Sequence, residues 1–219
     1  MDIQQILSKC DHTLLSPTAS WHDVQALCDD ALAYGTASVC IAPCHVARAK
    51  AYLGKRLAVC TVIGFPLGYN TTESKVFETA DAVRNGADEI DMVINVGALI
   101  EGNDQYVLDE ICAVREACRG RILKVIVETC YLNEQQKLRA CDLVSRSGAD
   151  YIKTSTGFGS GGATPEDVAL LVANVAAGVK VKAAGGIAGL EDAERYIRLG
   201  ASRLGTSRVV KAVKALQDK

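Results

Sequence analysis

Gly148-Ala149-Asp150-Tyr151-Ile152-Lys153-Thr154-Ser155-Thr156-Gly157 is the stretch on which the fold turns. A glycine and a small residue lead into an apolar run, the run ends in a lysine, and small hydroxyl residues and a glycine follow. Its first half recurs in Gly86-Ala87-Asp88-Glu89-Ile90 and Gly200-Ala201-Ser202-Arg203-Leu204, and more loosely in Gly35-Thr36-Ala37-Ser38-Val39. A glycine that ends a helix before any strand explains each copy alone. It does not explain why the copies fall two strand–helix units apart every time.

Working outward from there, the expected strands lie at 11–15, 36–42, 57–65, 88–96, 122–128, 150–155, 179–184 and 202–205. Ser20 with Asp23, and Asn133 with Gln136, read as helix-capping pairs, and Thr164-Pro165-Glu166-Asp167 as a helix start. Helices are expected at 1–10, from Ser20 to Gly35, and at 43–53, 72–84, 104–118 and 133–146. Three more open at Thr164 and cover 190–199 and 206–216. Eight units of about 27 residues predict an α/β fold, a single (β/α)8 TIM barrel with a short N-terminal helix, as one domain over 1–219. A doubly wound open sheet shares the alternation. The repeat before every even-numbered strand favours the barrel, whose interior layers draw on alternate strands.

Composition narrows the function. The chain is 49% hydrophobic and its formal charge is -2, with basic and acidic residues interspersed, so neither nucleic-acid nor membrane binding is indicated. Aromatic residues are 5%, too few for a base-stacking platform. Nine cysteines without a C-x-x-C pair read as free thiols in a reducing cytoplasmic setting, and Cys40, Cys60 and Cys130 as small core residues. A metal reading of Cys40, Cys44 and His45 is weaker, and His12, His22 and His45 are too scattered for a ligand set. Met1-Asp2-Ile3-Gln4-Gln5 does not read as a signal peptide, and no apolar run reaches the roughly 18 residues of a membrane span.

In a barrel, reacting groups sit at the C-terminal ends of strands. Those ends offer Asp11 and Thr13, Asp91 and Asn95, Glu128, Lys153 and Ser155, and Lys182, with Lys124 earlier in its strand. Lys153 and Lys182 end neighbouring strands. Two converging ammonium groups repel, and bringing one lysine to neutrality near pH 7 takes roughly 4 to 5 kcal/mol. A neutral amine is a nucleophile for carbonyls. The alternative is that each lysine pairs with a carboxylate as polar filling. Asp91 alternates with Ile90 and Met92, which points it inward.

Gly157-Phe158-Gly159-Ser160-Gly161-Gly162 satisfies G-x-G-x-x-G, but the next strand ends Lys182-Ala183-Ala184 without the acid that a dinucleotide site needs. It reads better as an anion-facing loop. With Gly185-Gly186 and Gly205-Thr206-Ser207 it predicts a phosphate site at Gly157, Gly185, Gly186, Gly205, Thr206 and Ser207.

The segments around Lys153, Val181-Lys182-Ala183-Ala184-Gly185-Gly186-Ile187, Asp11-His12-Thr13-Leu14-Leu15, Glu89-Ile90-Asp91-Met92-Val93 and Ser38-Val39-Cys40-Ile41 together resemble deoxyribose-phosphate aldolases. The resemblance runs almost from end to end. It implies a metal-independent class I aldolase with no cofactor, cleaving 2-deoxy-D-ribose 5-phosphate to glyceraldehyde 3-phosphate and acetaldehyde. It implies Lys153 as Schiff-base nucleophile, Asp91 and Lys182 as proton donor and acceptor, Asp11 and Thr13 as a water relay, and Cys40 beside the pocket. The expected partners are a small sugar phosphate and acetaldehyde, with the chain a homo-oligomer, dimer or tetramer. A different Schiff-base aldolase, a non-catalytic sugar-phosphate sensor and a nicotinamide enzyme are the competing readings.

Overall fold

A computed structural model describes residues 1–217 as a closed barrel of eight parallel strands in sequence order. The strands are β1 (Cys10–Leu14), β2 (Ser38–Ile41), β3 (Ala58–Ile63), β4 (Glu89–Val93), β5 (Ile122–Ile126), β6 (Tyr151–Lys153), β7 (Lys180–Ala184) and β8 (Arg203–Thr206). Helix α1 (Ile3–Leu7) precedes them. The others are α2 (Trp21–Tyr34), α3 (Val46–Leu53), α4 (Thr72–Arg84), α5 (Val96–Glu101), α6 (Asp104–Ala117), α7 (Glu134–Arg146), α8 (Pro165–Asn174), α9 (Leu190–Arg198) and α10 (Val209–Gln217). β1 pairs with both β2 and β8, which closes the ring.

The glycine repeat has a structural meaning. Gly35, Gly86, Gly148 and Gly200 all take positive φ, the left-handed turn that ends a helix. Three residues after them come Ser38, Glu89, Tyr151 and Arg203, one on each even strand. Their side chains meet inside the barrel: Arg203 reaches Glu89 at 3.0 Å and lies 5.7 Å from the Tyr151 ring centroid. Residues of opposite parity, among them Val39, Ile90, Met92, Leu123, Val125, Ile152 and Ala183, are buried under the helices. The main apolar core is therefore the shell between barrel and helices, and the barrel's inside carries the charged groups.

Sequence-level capping holds well. Ser20–Asp23 and Asn133–Gln136 form full capping boxes, and Thr164 Oγ1 accepts from the Asp167 amide. The strands end earlier than their apolar runs. β4 stops at Val93, and Asn95, read above as strand, accepts from the Ala98 amide and caps α5, which the apolar run 93–99 had concealed. β5 stops at Ile126, two residues short of Glu128. Thr206 belongs to β8 rather than opening the last helix, which begins at Val209. Cys40, Cys44 and His45 diverge: Cys40 is buried, Cys44 is exposed, and His45 Nε2 contacts the Ala19 carbonyl.

His12 faces outward from β1, with Asp30 of α2 at 4.0 Å. Burial lowers its pKa to about 4, so the folded protein refuses a proton that the unfolded chain accepts below about 6.5. Its contribution to stability is full above that value and is lost as pH falls toward 4, reaching about 3 kcal/mol. Urea unfolding of the wild type and His12→Asn should therefore converge by that amount between pH 7 and 4. A difference independent of pH would contradict this.

Candidate active site

Three carboxylates and four cations fill the inside of the barrel. Strand register brings them together: Asp91 is level with Lys124, Lys153 with Lys182, and Lys182 with Arg203. Asp91 is at the centre and fully buried. Its Oδ2 accepts from Lys153 Nζ and Lys182 Nζ, both at 2.7 Å. Its Oδ1 accepts from Lys124 Nζ at 2.8 Å and Cys60 Sγ at 3.2 Å. Asp11 Oδ2 accepts from Lys182, while Asp11 Oδ1 accepts from Ser38 Oγ at 2.7 Å and Arg203 Nη1 at 2.5 Å. Glu89 binds Lys124 at 2.6 Å and Arg203 at 3.0 Å.

Such charges are tolerable only because each has partners. Burial alone would push the Asp91 carboxyl up, but Lys124, Lys153 and Lys182 outweigh it and hold the group well below the usual carboxylate range. Asp11 behaves likewise, with Lys182, Lys124 and Arg203 overcoming burial. Burial would lower Lys182, yet Asp11 and Asp91 keep it above an ordinary lysine, and Lys124 is raised in the same way by Asp91 and its neighbours. Asp11 and Asp91 are thus anions and Lys182 and Lys124 cations at neutral pH.

A cavity of about 510 Å³ opens at the C-terminal ends of the strands. Lys153, Thr13, Gly157, Gly185, Gly186, Gly205, Thr206 and Ser207 all line it. Asp11, Asp91 and Lys182 do not; they lie beneath, with no exposed surface. Thr13 Oγ1 donates to the Asp11 backbone carbonyl at 2.7 Å, so the two residues share a strand edge but not a side-chain bond. Gly205 has a role besides any anion: a Cβ there would come within 3.1 Å of Lys182 Cε. The G-x-G-x-x-G loop crosses to β7, where the Ala163 amide bonds the Ala184 and Gly185 carbonyls at 3.1 Å.

Some participants were not singled out by sequence. Arg203 and Glu89 lie at strand beginnings, far from where reacting groups were sought, yet they complete the network. Lys124 was noticed only for its place in a strand. Arg208 and Lys211 line the cavity beyond Ser207; their signal was two cations at helical spacing after the Gly205-Thr206-Ser207 turn. Cys40 and Cys60 are buried core residues as expected, in a separate apolar cluster with Val62 inside the barrel and not in the shell. The neighbouring Cys60 lowers the Cys40 thiol, with Lys182 assisting against burial. Cys40, Cys60 and Asp91 are close enough to share a cation, but it would have to displace the ammonium groups already on Asp91.

A sequence model of the DeoC/LacD family of aldolases matches residues 6–208. The chain belongs to that family. A deoxyribose-phosphate aldolase of Streptococcus agalactiae is 56% identical over 214 residues, spanning 98% of this chain and 96% of the relative. Among solved structures, the tetrameric deoxyribose phosphate aldolase of Aeropyrum pernix superposes with a TM-score of 0.91 at 32% identity, covering 99% of this chain and 92% of that one. A structure described as QR15, an aldolase, gives 0.92 at 38% identity, with 97% and 96% covered. The DeoC/LacD barrel thus encloses an ionic interior in this member.

Lys124→Met should expose what that interior rests on. It leaves Asp91 Oδ1 without a cation and Glu89 with Arg203 alone, in a buried setting, which costs about 3 to 5 kcal/mol. Urea denaturation at pH 7 measures it, and a loss under about 1 kcal/mol would show that the network is not structurally required.

Proposed function

We propose that the protein is a class I aldolase that reversibly cleaves 2-deoxy-D-ribose 5-phosphate to D-glyceraldehyde 3-phosphate and acetaldehyde, with Lys153 forming the Schiff base. One observation carries this reading. Of the ammonium groups bound to Asp91, only Lys153 lines the cavity, and its carboxylate partner is an oxygen already engaged by Lys182. Four cations face three carboxylates in the network, so one proton can leave without stranding an anion. Lys153, with one ionic partner, is the amine that gives it up, while Lys182 is fixed by two carboxylates.

The chemistry follows from that placement. The free amine attacks the sugar's aldehyde carbon, and loss of water leaves a protonated imine. The imine withdraws electrons as the C2–C3 bond breaks and the 3-hydroxyl gives up its proton, releasing glyceraldehyde 3-phosphate. Protonation of the remaining enamine at carbon and hydrolysis return acetaldehyde and the lysine. The imine is the electron sink, so the step needs neither metal nor cofactor. Lys182 and Asp91 are the proton donor and acceptor in this scheme, and Asp11 and Thr13 support a water relay. The phosphate occupies the far side of the cavity, toward Gly157, Gly185, Gly186, Gly205, Thr206 and Ser207, with Arg208 and Lys211 as nearby positive charges.

The names of the Streptococcus agalactiae and Aeropyrum pernix relatives support the substrate. The tetramer of the latter supports a homo-oligomeric assembly here, dimer or tetramer. No described helix is long and apolar enough to cross a membrane, and a cytoplasmic enzyme acting on small molecules fits the composition.

Borohydride reduction in the presence of acetaldehyde should attach one ethyl group, located to Lys153 by peptide mass spectrometry. Full labelling of Lys153→Ala would sink the assignment. In Lys182→Leu, turnover of the sugar phosphate should fall roughly 100-fold or more while trapping on Lys153 is retained, because the cation held by Asp11 and Asp91 is gone from the proton path. Unchanged turnover would disprove a role for Lys182 in proton transfer.

A further inference from the structure

Glu128 leaves β5 with φ 53° and ψ 65°, in the left-handed region where a long side chain is uncommon and glycine or asparagine fits better. It is 3% exposed, yet it makes no ion pair with the network around Asp91. Its carboxylate is committed to Thr156. The Thr156 amide is shared between the two oxygens at 3.1 and 3.2 Å, and the Thr156 hydroxyl donates to Oε2. That hydroxyl in turn accepts from the Phe158 amide at 3.0 Å. Gly159 packs so closely that a Cβ would lie 3.2 Å from Glu128 Cδ. The left-handed turn is what lets a residue just past β5 aim its carboxylate at the start of the loop that follows β6.

The loop's far end is fastened separately, by the Ala163 amide on the Ala184 and Gly185 carbonyls. Residues 156–162 are therefore strung between Glu128 on one side and the end of β7 on the other. Gly157, within this span, lines the cavity together with Lys153 and Thr156.

We propose that Glu128 is a positioning residue that sets the anion-facing loop 156–162 relative to Lys153, so that preference for a phosphorylated sugar over its unphosphorylated counterpart depends on this carboxylate. This rests on the aldolase reading above. The titratable groups that face Glu128 are Lys153 of β6 and the Cys130 thiol, 4.0 Å away in the turn after β5. Burial raises the Glu128 carboxyl, with the Thr156 donors and Lys153 opposing. Protonation replaces a charged acceptor by a neutral group that must itself donate, which loosens the grip on Thr156 as pH falls.

The test compares wild type, Glu128→Gln and Glu128→Asn on 2-deoxyribose 5-phosphate and on 2-deoxyribose, with acetaldehyde trapping on Lys153 as a separate readout. Glu128→Asn suits left-handed backbone and carries the comparison if the glutamine variant does not fold. KM for the phosphorylated sugar should rise about tenfold, and KM for 2-deoxyribose by less than about twofold, with trapping retained. The ratio of variant to wild-type KM on the phosphorylated sugar should narrow as pH is lowered, because the wild-type carboxyl is then protonated too. Equal rises for both sugars, no rise for either, or a ratio independent of pH would overturn the proposal. Absence of trapping on Lys153 in the wild type would overturn the aldolase reading, and this proposal with it.

Discussion

The Asp91 carboxylate holds three ammonium groups at once, and the rest of the barrel's interior is arranged so that it can. Lys124 takes one oxygen, while Lys153 and Lys182 share the other. This carboxylate has no exposed surface, so neighbouring charge keeps it ionised. Those neighbours need counter-charges of their own, which Asp11 and Glu89 supply, and Arg203 balances that pair from the N-terminal side of the barrel. Removing any one member strands another, so this interior is costly to alter piecemeal.

The same arrangement divides labour among chemically identical side chains. Lys124, Lys153 and Lys182 all touch Asp91, but their surroundings differ. Lys124 and Lys182 are sealed between carboxylates, whereas Lys153 stands at the cavity with one shared oxygen. A residue's neighbours, not its type, set its role. The stability of the fold comes from elsewhere, from the apolar shell between strands and helices. That separation lets the interior carry charge without surrendering the core.

Much of this was legible in the chain. The glycine repeat announced the even strands because a left-handed helix end is a local backbone demand that glycine meets. Capping pairs and alternation placed most helices and pointed Asp91 inward for the same reason: they depend on a few neighbouring residues. Arg203 was not recognised as a partner of Asp11, because that contact arises from barrel closure, which joins β8 to β1 across nearly the whole sequence. Lys124 meets Asp91 and Glu89 only through the register of β4 with β5. Cys40 and Cys60 were legible as buried core residues, but an apolar neighbourhood in sequence does not reveal which face of a strand meets charge. Glu128 was picked out as a strand end, but its left-handed backbone and its grip on Thr156 were not legible, because both depend on a loop that follows the next strand.

The central claim is that buried charge pairing fixes Lys182 and Lys124 as ammonium groups and leaves Lys153 as the one amine of the three at the cavity. Nitrogen-15 NMR of the lysine side-chain amines, assigned through single lysine substitutions and followed with rising pH, measures this directly. Lys182 and Lys124 should both remain ammonium above pH 10. Loss of the Lys182 proton below that pH would contradict the account.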